Sequence, residues 1–401
     1  MSCHDMHRYT NEDVVNPYDL NIIADENIPF VQEAFGTVGT VKLVPGRALS
    51  PSFVRDAQVL LVRSVTQVNR ELLGGSPVQF VGTATAGLDH IDSEYLQTNG
   101  IAFASAQGGN ANSVAEYVVT ALLSIARRQG LSLAGQTIGI VGVGNIGQLV
   151  KVKAEGLGMS VVLNDPPLAQ ETGDKTFRPL KEVLDCDVVT LHVPLTYEGP
   201  FKTFHFFNDA TLAKLKPSAV FLNTSRGEVV DTRPLLNRLQ KNTVGSTVLD
   251  VWESEPDINW ELFKMVTLGT PHIAGYSLDG KAEGTLFIYQ ALCNHLGLTP
   301  SWNLTDSLPA PAVPHINLDP REKPDEQILS ELIEAIYNIE ADHARMAALR
   351  QIPHENRPLA FDRLRKNYPV RREFHHTTVR LLNGETEIQQ KVASLGFKIE
   401  R

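Results

Sequence analysis

Residues 137–147 read TIGIVGVGNIG, and this run decides the fold. An apolar strand-like stretch delivers Gly142, Gly144 and Gly147 at the spacing G-x-G-x-x-G, and a helical pattern follows. In a strand–turn–helix unit Gly142 permits the tight turn, and Gly144 lets a ligand's phosphates approach the backbone. Gly147 lets the helix pack on the strand, and the amides at Asn145 and Ile146 open the helix toward the phosphates. Alone the triplet is a weak sign, because glycines mark many turns.

The context strengthens it. Asp165 ends the next apolar run, 18 residues after Gly147. There it would accept hydrogen bonds from an adenosine ribose and repel a 2′-phosphate, which favours NAD over NADP. Its plainer role would be that of a turn residue before Pro166 and Pro167.

Outward from this run, short apolar segments alternate with amphipathic ones. Asn21–Ala24, Val59–Arg63, Val78–Thr83 and Ile101–Ala104 read as buried parallel strands of a first unit, 21–112. Ser113 and Glu116 form a capping-box pattern before a long helix with apolar 3-4 spacing, ending in Arg127, Arg128 and Gly130. Beyond the glycine run, Ser160–Asn164, Val188–Val193, Ala219–Thr224 and Thr247–Val251 are further strands of a nucleotide unit, 113–273. A helical stretch from Ala274 returns to the first unit, so that 274–302 joins 21–112. After the stiff linker Leu308–Pro314, the segment 303–401 forms a third, smaller α+β unit, with Gln327–Leu349 helical. The expected fold class is α/β, two doubly wound parallel-sheet domains (flavodoxin-like and Rossmann) plus this C-terminal domain.

Composition narrows the function. The 401 residues carry a net charge of −10, so nothing favours general nucleic-acid binding. Three scattered cysteines, Cys3, Cys186 and Cys293, make no metal or disulfide pattern. No apolar run is long enough to span a bilayer, and residues 1–20 read as a flexible polar extension without a secretory core. A cytoplasmic protein with no membrane partner is the expectation. His4 and His7 have no third ligand nearby in sequence, and no metal site is expected.

The chemistry sits downstream. NTSRGEVVD, 223–231, leaves a strand and presents Arg226 at the carboxyl edge of the sheet, where a guanidinium can hold a carboxylate through two parallel N–H bonds. Alone, Arg226 would read as a surface ion-pair partner. Glu255 in LDVWESEP and His272 in TLGTPHIAGY each follow a strand at its carboxyl end, and an acid beside an imidazole suits proton transfer at a carbon–oxygen bond. Histidines are more often structural, and His90, His192 and His295 are read so.

GVGNIG, NTSRGEVVD, LDVWESEP and HIAG together resemble the D-isomer-specific 2-hydroxyacid dehydrogenase family over residues 21 to about 300. That resemblance implies Arg226 as the substrate-holding residue, His272 as acid/base and Glu255 as the group tuning it. VPGR, LVRSVT, FVGTATAG, HIAGYSLDGKAEGT and FDRLRKNYPVRREF resemble a narrower branch over nearly the whole chain. Ile23-Ala24 and Ser225 are mild departures. The branch implies oxidation of a phosphorylated hydroxy acid, 4-phospho-D-erythronate, on the route to pyridoxal phosphate, and a homodimer formed through the C-terminal domain. It implies substrate contacts at Ser64, Thr85 and Tyr276, and NAD contacts at Asp165, Val193, Thr224, Ser225, Arg226, Asp250 and Gly275. For the phosphate, Arg47, Arg63 and the basic cluster Arg363, Arg365, Lys366, Arg371 and Arg372 are candidates, with a solvated helix face as the plainer reading of the cluster. The alternatives are another phosphorylated hydroxy-acid dehydrogenase, such as one acting on 3-phosphoglycerate, and a non-catalytic NAD-sensing corepressor.

Overall fold

The computed structural model describes residues 20–321, 323–382 and 386–400; the expectations for residues 1–19, including His4 and His7, lie outside them. The chain divides into two compact units. One comprises the chain up to Gln107 with Ala282–Ser307, the other Gly108–Lys281 with Leu308–Arg401.

The first unit holds strands β1 (Asn21–Asp25), β2 (Thr40–Val44), β3 (Val59–Val62), β4 (Phe80–Thr83) and β5 (Ala102–Ser105). They pair in parallel in the order β2-β1-β3-β4-β5, the flavodoxin-like arrangement. Alternate side chains enter different cores: Ile22, Ala24, Val59, Leu61 and Phe80 pack on one face, Ile23, Leu60, Val62 and Val81 on the other. With both faces covered, β1, β3 and β4 read as largely continuous apolar runs. The edge strand β2 is largely exposed, which is why its sequence, TVKLV, carries little strand signal.

The second unit has a six-stranded sheet: β6 (Thr137–Val141), β7 (Ser160–Asn164), β8 (Val188–Leu191), β9 (Val220–Asn223), β10 (Thr247–Leu249) and β11 (Leu268–Gly269). The parallel order β11-β10-β9-β8-β6-β7 places the topological switch between β6 and β8. A third, three-stranded parallel sheet, β12 (His315–Leu318), β13 (Thr378–Leu381) and β14 (Lys398–Ile399), belongs to this same unit. Ile328, Leu329, Phe374 and Val379 of the C-terminal segment share one core with the long helix Ala111–Gln129 and with Ile138 and Ile140 of β6. The expected helical stretch Gln327–Leu349 is two helices, Asp325–Glu334 and Ile339–Ala348, the second capped by Asn338. No helix among the described residues is long and apolar enough to cross a membrane.

The capping box expected at Ser113 and Glu116 does not form. The helix begins at Ala111, and Asn110 makes no side-chain cap bond. Both residues are instead turned into a polar network with the C-terminal segment. Ser113 Oγ donates to Glu373 Oε1 at 2.7 Å, and Ser277 Oγ donates to the same oxygen at 3.0 Å. Glu116 Oε1 accepts from Phe374 N at 2.9 Å and Asn112 Nδ2 at 3.0 Å, while Glu116 Oε2 is buried with no hydrogen-bond partner. Long-range burial gave these side chains better partners than their own helix end. The cluster Arg371-Arg372 is likewise no solvated face. Arg372 is buried against Asp279, with Nε at 3.0 Å and Nη2 at 2.9 Å from Oδ1. Arg371 Nη2 donates to the Ala274 carbonyl at 3.0 Å, and its guanidinium lies 4.1 Å from the Tyr337 ring centroid.

Burial, and then the negative charge of Glu373, pushes the Glu116 carboxyl up from 4.5 to about 8. The folded chain therefore holds this proton more tightly than the unfolded chain. Its contribution to stability is complete below about pH 4.5 and is lost as pH rises through about 8. Glu116→Gln, which mimics the neutral acid, should flatten this slope. Thermal denaturation should show little change at pH 5 and a variant melting above the parent at pH 8.5.

Candidate active site

The glycine run forms the turn between β6 and the helix Asn145–Gly156. Gly142 has φ +88°, a left-handed geometry that disfavours any side chain, and a Cβ there would lie 2.5 Å from the His192 carbonyl oxygen. A Cβ on Gly147 would lie 2.2 Å from the Gly142 carbonyl, so the helix meets the strand backbone directly. Gly144 faces open space, and Gly144 and Asn145 are exposed, with Ile146 half-buried behind them. An accessible helix N-terminus behind an open glycine suits a dinucleotide's pyrophosphate. Asp165 is half-buried and does two local tasks: Oδ2 accepts from Val143 N at 2.8 Å, and Oδ1 caps the next helix through Leu168 N at 3.1 Å. The turn role and a ribose role are compatible, since each carboxylate oxygen has a second lone pair.

Val193 lies against Gly142, and His192 links the neighbouring strands through Thr190 Oγ1 at 3.0 Å and Thr224 Oγ1 at 3.2 Å. Burial pulls the His192 imidazole down to about 3, which leaves it neutral and structural. Ser225 is held by Asn223, whose Oδ1 accepts from Ser225 N at 3.0 Å and Ser225 Oγ at 2.7 Å. Asn223 Nδ2 also donates to the Arg226 carbonyl at 2.9 Å, so one amide shapes the whole turn that carries Arg226. Arg226 is half-buried, with Nη1 donating to the Ser225 carbonyl at 2.8 Å.

The adjacent order β9-β10-β11 brings three loops side by side at the carboxyl ends of the strands. A Cβ on Gly227 would stand 2.0 Å from the Trp252 carbonyl carbon and oxygen, so the Arg226 turn rests on the backbone of the Glu255 loop. In that loop Glu255 Oε1 accepts from Trp252 N at 2.9 Å. Its Oε2 lies 2.8 Å from His272 Nδ1, and the imidazole remains 34% exposed, open to a substrate. Burial opposes ionisation of Glu255, but the His272 charge and hydrogen bond, then Arg365, hold its carboxyl below the ordinary range.

His272 has φ +57°, unusual for a residue with a Cβ. Its N–H donates to the Asp250 carbonyl at 2.7 Å. The buried Asp250 carboxylate accepts from Thr270 Oγ1 at 2.6 Å, Ile273 N at 2.8 Å and Ala274 N at 2.9 Å. Burial pushes this carboxyl up, against the His272 charge and those bonds. Asp250 was expected as a cofactor contact; here its carboxylate organises the histidine loop. Gly275 packs on Asn110, whose Nδ2 would lie 2.3 Å from an added Cβ.

In the first unit, the exposed Ser64 follows β3 and the half-buried Thr85 follows β4. Thr85 Oγ1 is 3.0 Å from Thr83 Oγ1, which also meets His90 Nε2 at 3.0 Å. Arg63 pairs with the buried Asp25 at 3.1 Å. In the second unit, the half-buried Tyr276 lies four residues past His272. Among the described residues one group, His205, Asp231 and Glu253, has the composition of a metal site. There, however, the imidazole spans two acids, with Nε2 2.6 Å from Glu253 and Nδ1 3.8 Å from Asp231.

Sequence reasoning missed the amide of Asn223 and the inward role of Asp250. An Asn at a strand end just before a turn was the available signal for the first. Nothing local signals the second, because its partners lie 20 to 24 residues away.

Residues 111–274 match the family model of the D-isomer specific 2-hydroxyacid dehydrogenase NAD binding domain, and residues 307–396 match a domain of unknown function (DUF3410). The chain is 47% identical over 382 residues to the erythronate-4-phosphate dehydrogenase of Marinobacter nauticus, spanning 94% of this chain and 99% of that one. It is 45% identical over 357 residues to the protein of the same name from Cronobacter sakazakii, spanning 88% and 92%. The NAD+-bound 3-phosphoglycerate dehydrogenase of Entamoeba histolytica shares the fold, with a TM-score of 0.60 at 23% identity, covering 71% of this chain and 99% of that one. With this sequence kinship added to two doubly wound sheets and a glycine turn shaped for a dinucleotide, the chain belongs to the erythronate-4-phosphate dehydrogenases within the D-isomer specific 2-hydroxyacid dehydrogenase family, and is an NAD-dependent oxidoreductase.

Proposed function

We propose that this chain oxidises 4-phospho-D-erythronate at C2 to (R)-3-hydroxy-2-oxo-4-phosphobutanoate, on the route to pyridoxine 5′-phosphate. The observation that carries the mechanism is the 2.8 Å contact between His272 Nδ1 and Glu255 Oε2, beside the turn that bears Arg226. With Nδ1 bonded to Glu255, the other ring nitrogen, Nε2, takes the proton from the C2 hydroxyl. NAD, when bound, accepts the hydride that leaves C2. Glu255 stabilises the positive charge that forms on His272, and Arg226 orients the substrate carboxylate. Ser64, Thr85 and Tyr276 serve as further substrate contacts. Gly142 to Gly147, Asp165, Val193, Thr224, Ser225, Asp250 and Gly275 define the NAD site, Asp250 by shaping the loop.

In this reading the domains divide the work. Residues 21–112 with 274–302 act as the substrate-side domain and 113–273 as the nucleotide domain, while 303–401 joins two copies into a cytoplasmic homodimer. The names of the relatives support the substrate, and the glycine turn supports the cofactor.

NADH formation should be measured with 4-phospho-D-erythronate, 3-phosphoglycerate, D-lactate and D-glycerate. The first should give the highest kcat/KM; no turnover of it would defeat the substrate assignment. His272→Asn should lower kcat by about 10²–10⁴-fold. NAD affinity, followed by calorimetric titration, should hold within a few-fold; near-normal turnover would remove His272 from its role. Gly227→Ala forces a methyl group into the Trp252 carbonyl and parts the Arg226 and Glu255 loops. It should cost roughly 100-fold in kcat/KM, as a misplacement of about 1 Å does. Unchanged kinetics would show that the contact between the loops does not matter.

A further inference from the structure

Tyr276 stands four residues beyond His272, half-buried and with cations gathered about its ring. Lys281 Nζ is 5.3 Å from the ring centroid, and the Arg365 guanidinium carbon is 5.6 Å from it. Arg365 comes from the helix Arg357–Lys366 of the C-terminal segment. Its Nε is buried and has no hydrogen-bond partner. Tyr368 meets Tyr276 edge-on, with centroids 6.0 Å apart, and supports the ring from the same segment. Glu255 and Asp362 are the carboxylates whose charge reaches Arg365.

One cation over an aromatic ring is ordinary packing. Two cations on one ring concentrate positive charge at that spot, which suits an anionic group. A phosphate monoester matches the set. Lysine offers a compact charge, arginine a planar fork, and tyrosine a hydroxyl. The position also fits, because in a four-carbon acid the phosphate must sit close to the imidazole that serves C2.

We propose that Lys281, Arg365 and the Tyr276 hydroxyl form the subsite for the substrate's phosphate, so that the C-terminal segment sets specificity for phosphorylated hydroxy acids. The inference rests on the substrate reading above, but the subsite has its own readout. Inorganic phosphate should be titrated calorimetrically into the full chain saturated with NAD, for the parent, Lys281→Met, Arg365→Met and Arg365→Lys. Each methionine variant should bind phosphate at least about tenfold more weakly, while Arg365→Lys stays within about threefold of the parent. In turnover, Lys281→Met should lose about 10- to 100-fold in kcat/KM for 4-phospho-D-erythronate, mainly through KM, and less than about threefold for D-erythronate. Arg365→Met, whose charge also bears on Glu255, should lose several-fold more on the phosphorylated substrate than on D-erythronate.

A parent that binds no phosphate, or a methionine variant that binds it as tightly as the parent, overturns the subsite. Equal losses on both substrates overturn it too, because they mark a structural role. A parent that binds phosphate through these residues yet leaves 4-phospho-D-erythronate unoxidised defeats the substrate reading and leaves the subsite standing.

Discussion

The buried carboxylate of Asp250 is the constraint on which the loop carrying His272 depends. It collects two backbone N–H groups and one hydroxyl from the residues on either side of His272, while its own carbonyl accepts the His272 N–H. A left-handed backbone at a residue with a Cβ costs on the order of 1–3 kcal/mol, and it persists only where the surroundings over-determine it. Asp250 provides that determination. Thr270 is fixed in turn by the Tyr117 hydroxyl at 2.7 Å and, through its carbonyl, by Trp252 Nε1 at 2.9 Å. The imidazole is thus aimed by the core of the second unit rather than by a mobile loop.

The C-terminal segment continues the same scaffold. Arg371 bonds the Ala274 carbonyl and receives the Leu278 N–H at 2.8 Å, so the chain just after His272 is tied to residues about a hundred positions later. Asp279, Arg372, Glu373, Ser113 and Ser277 extend this into a buried polar junction. Buried charges are tolerated only when paired and hydrogen-bonded, and most of these are. The tail is therefore an integral part of the unit that carries the glycine turn and the His272–Glu255 pair.

Much of this was legible in the sequence because the signals were local. Apolar runs buried on both faces announced most strands of the two larger parallel sheets, and G-x-G-x-x-G placed the turn after β6. Arg226, Glu255 and His272 could be aligned at strand ends because each follows its own apolar run. What stayed hidden depended on distance. Ser113 and Glu116 carry a helix-start pattern, but their partners lie some 260 residues away, and tertiary pairing overrode the local cap. Arg371 and Arg372 look like a solvated basic patch until Asp279 and Ala274 are brought against them. The edge strand β2 escaped notice for the opposite reason, since too few of its side chains are buried to leave a pattern.

Asp165 has a consequence for anyone wishing to re-engineer coenzyme choice. The usual manoeuvre swaps the acid at this strand end for a neutral or basic residue. Here both carboxylate oxygens are engaged, one with the amide between the first two glycines and one with the start of the following helix. The swap would unfasten the glycine turn at the same stroke, so in the proposed reading discrimination at the ribose and the shape of the turn cannot be varied independently. A redesign would first have to give the Val143 amide another acceptor.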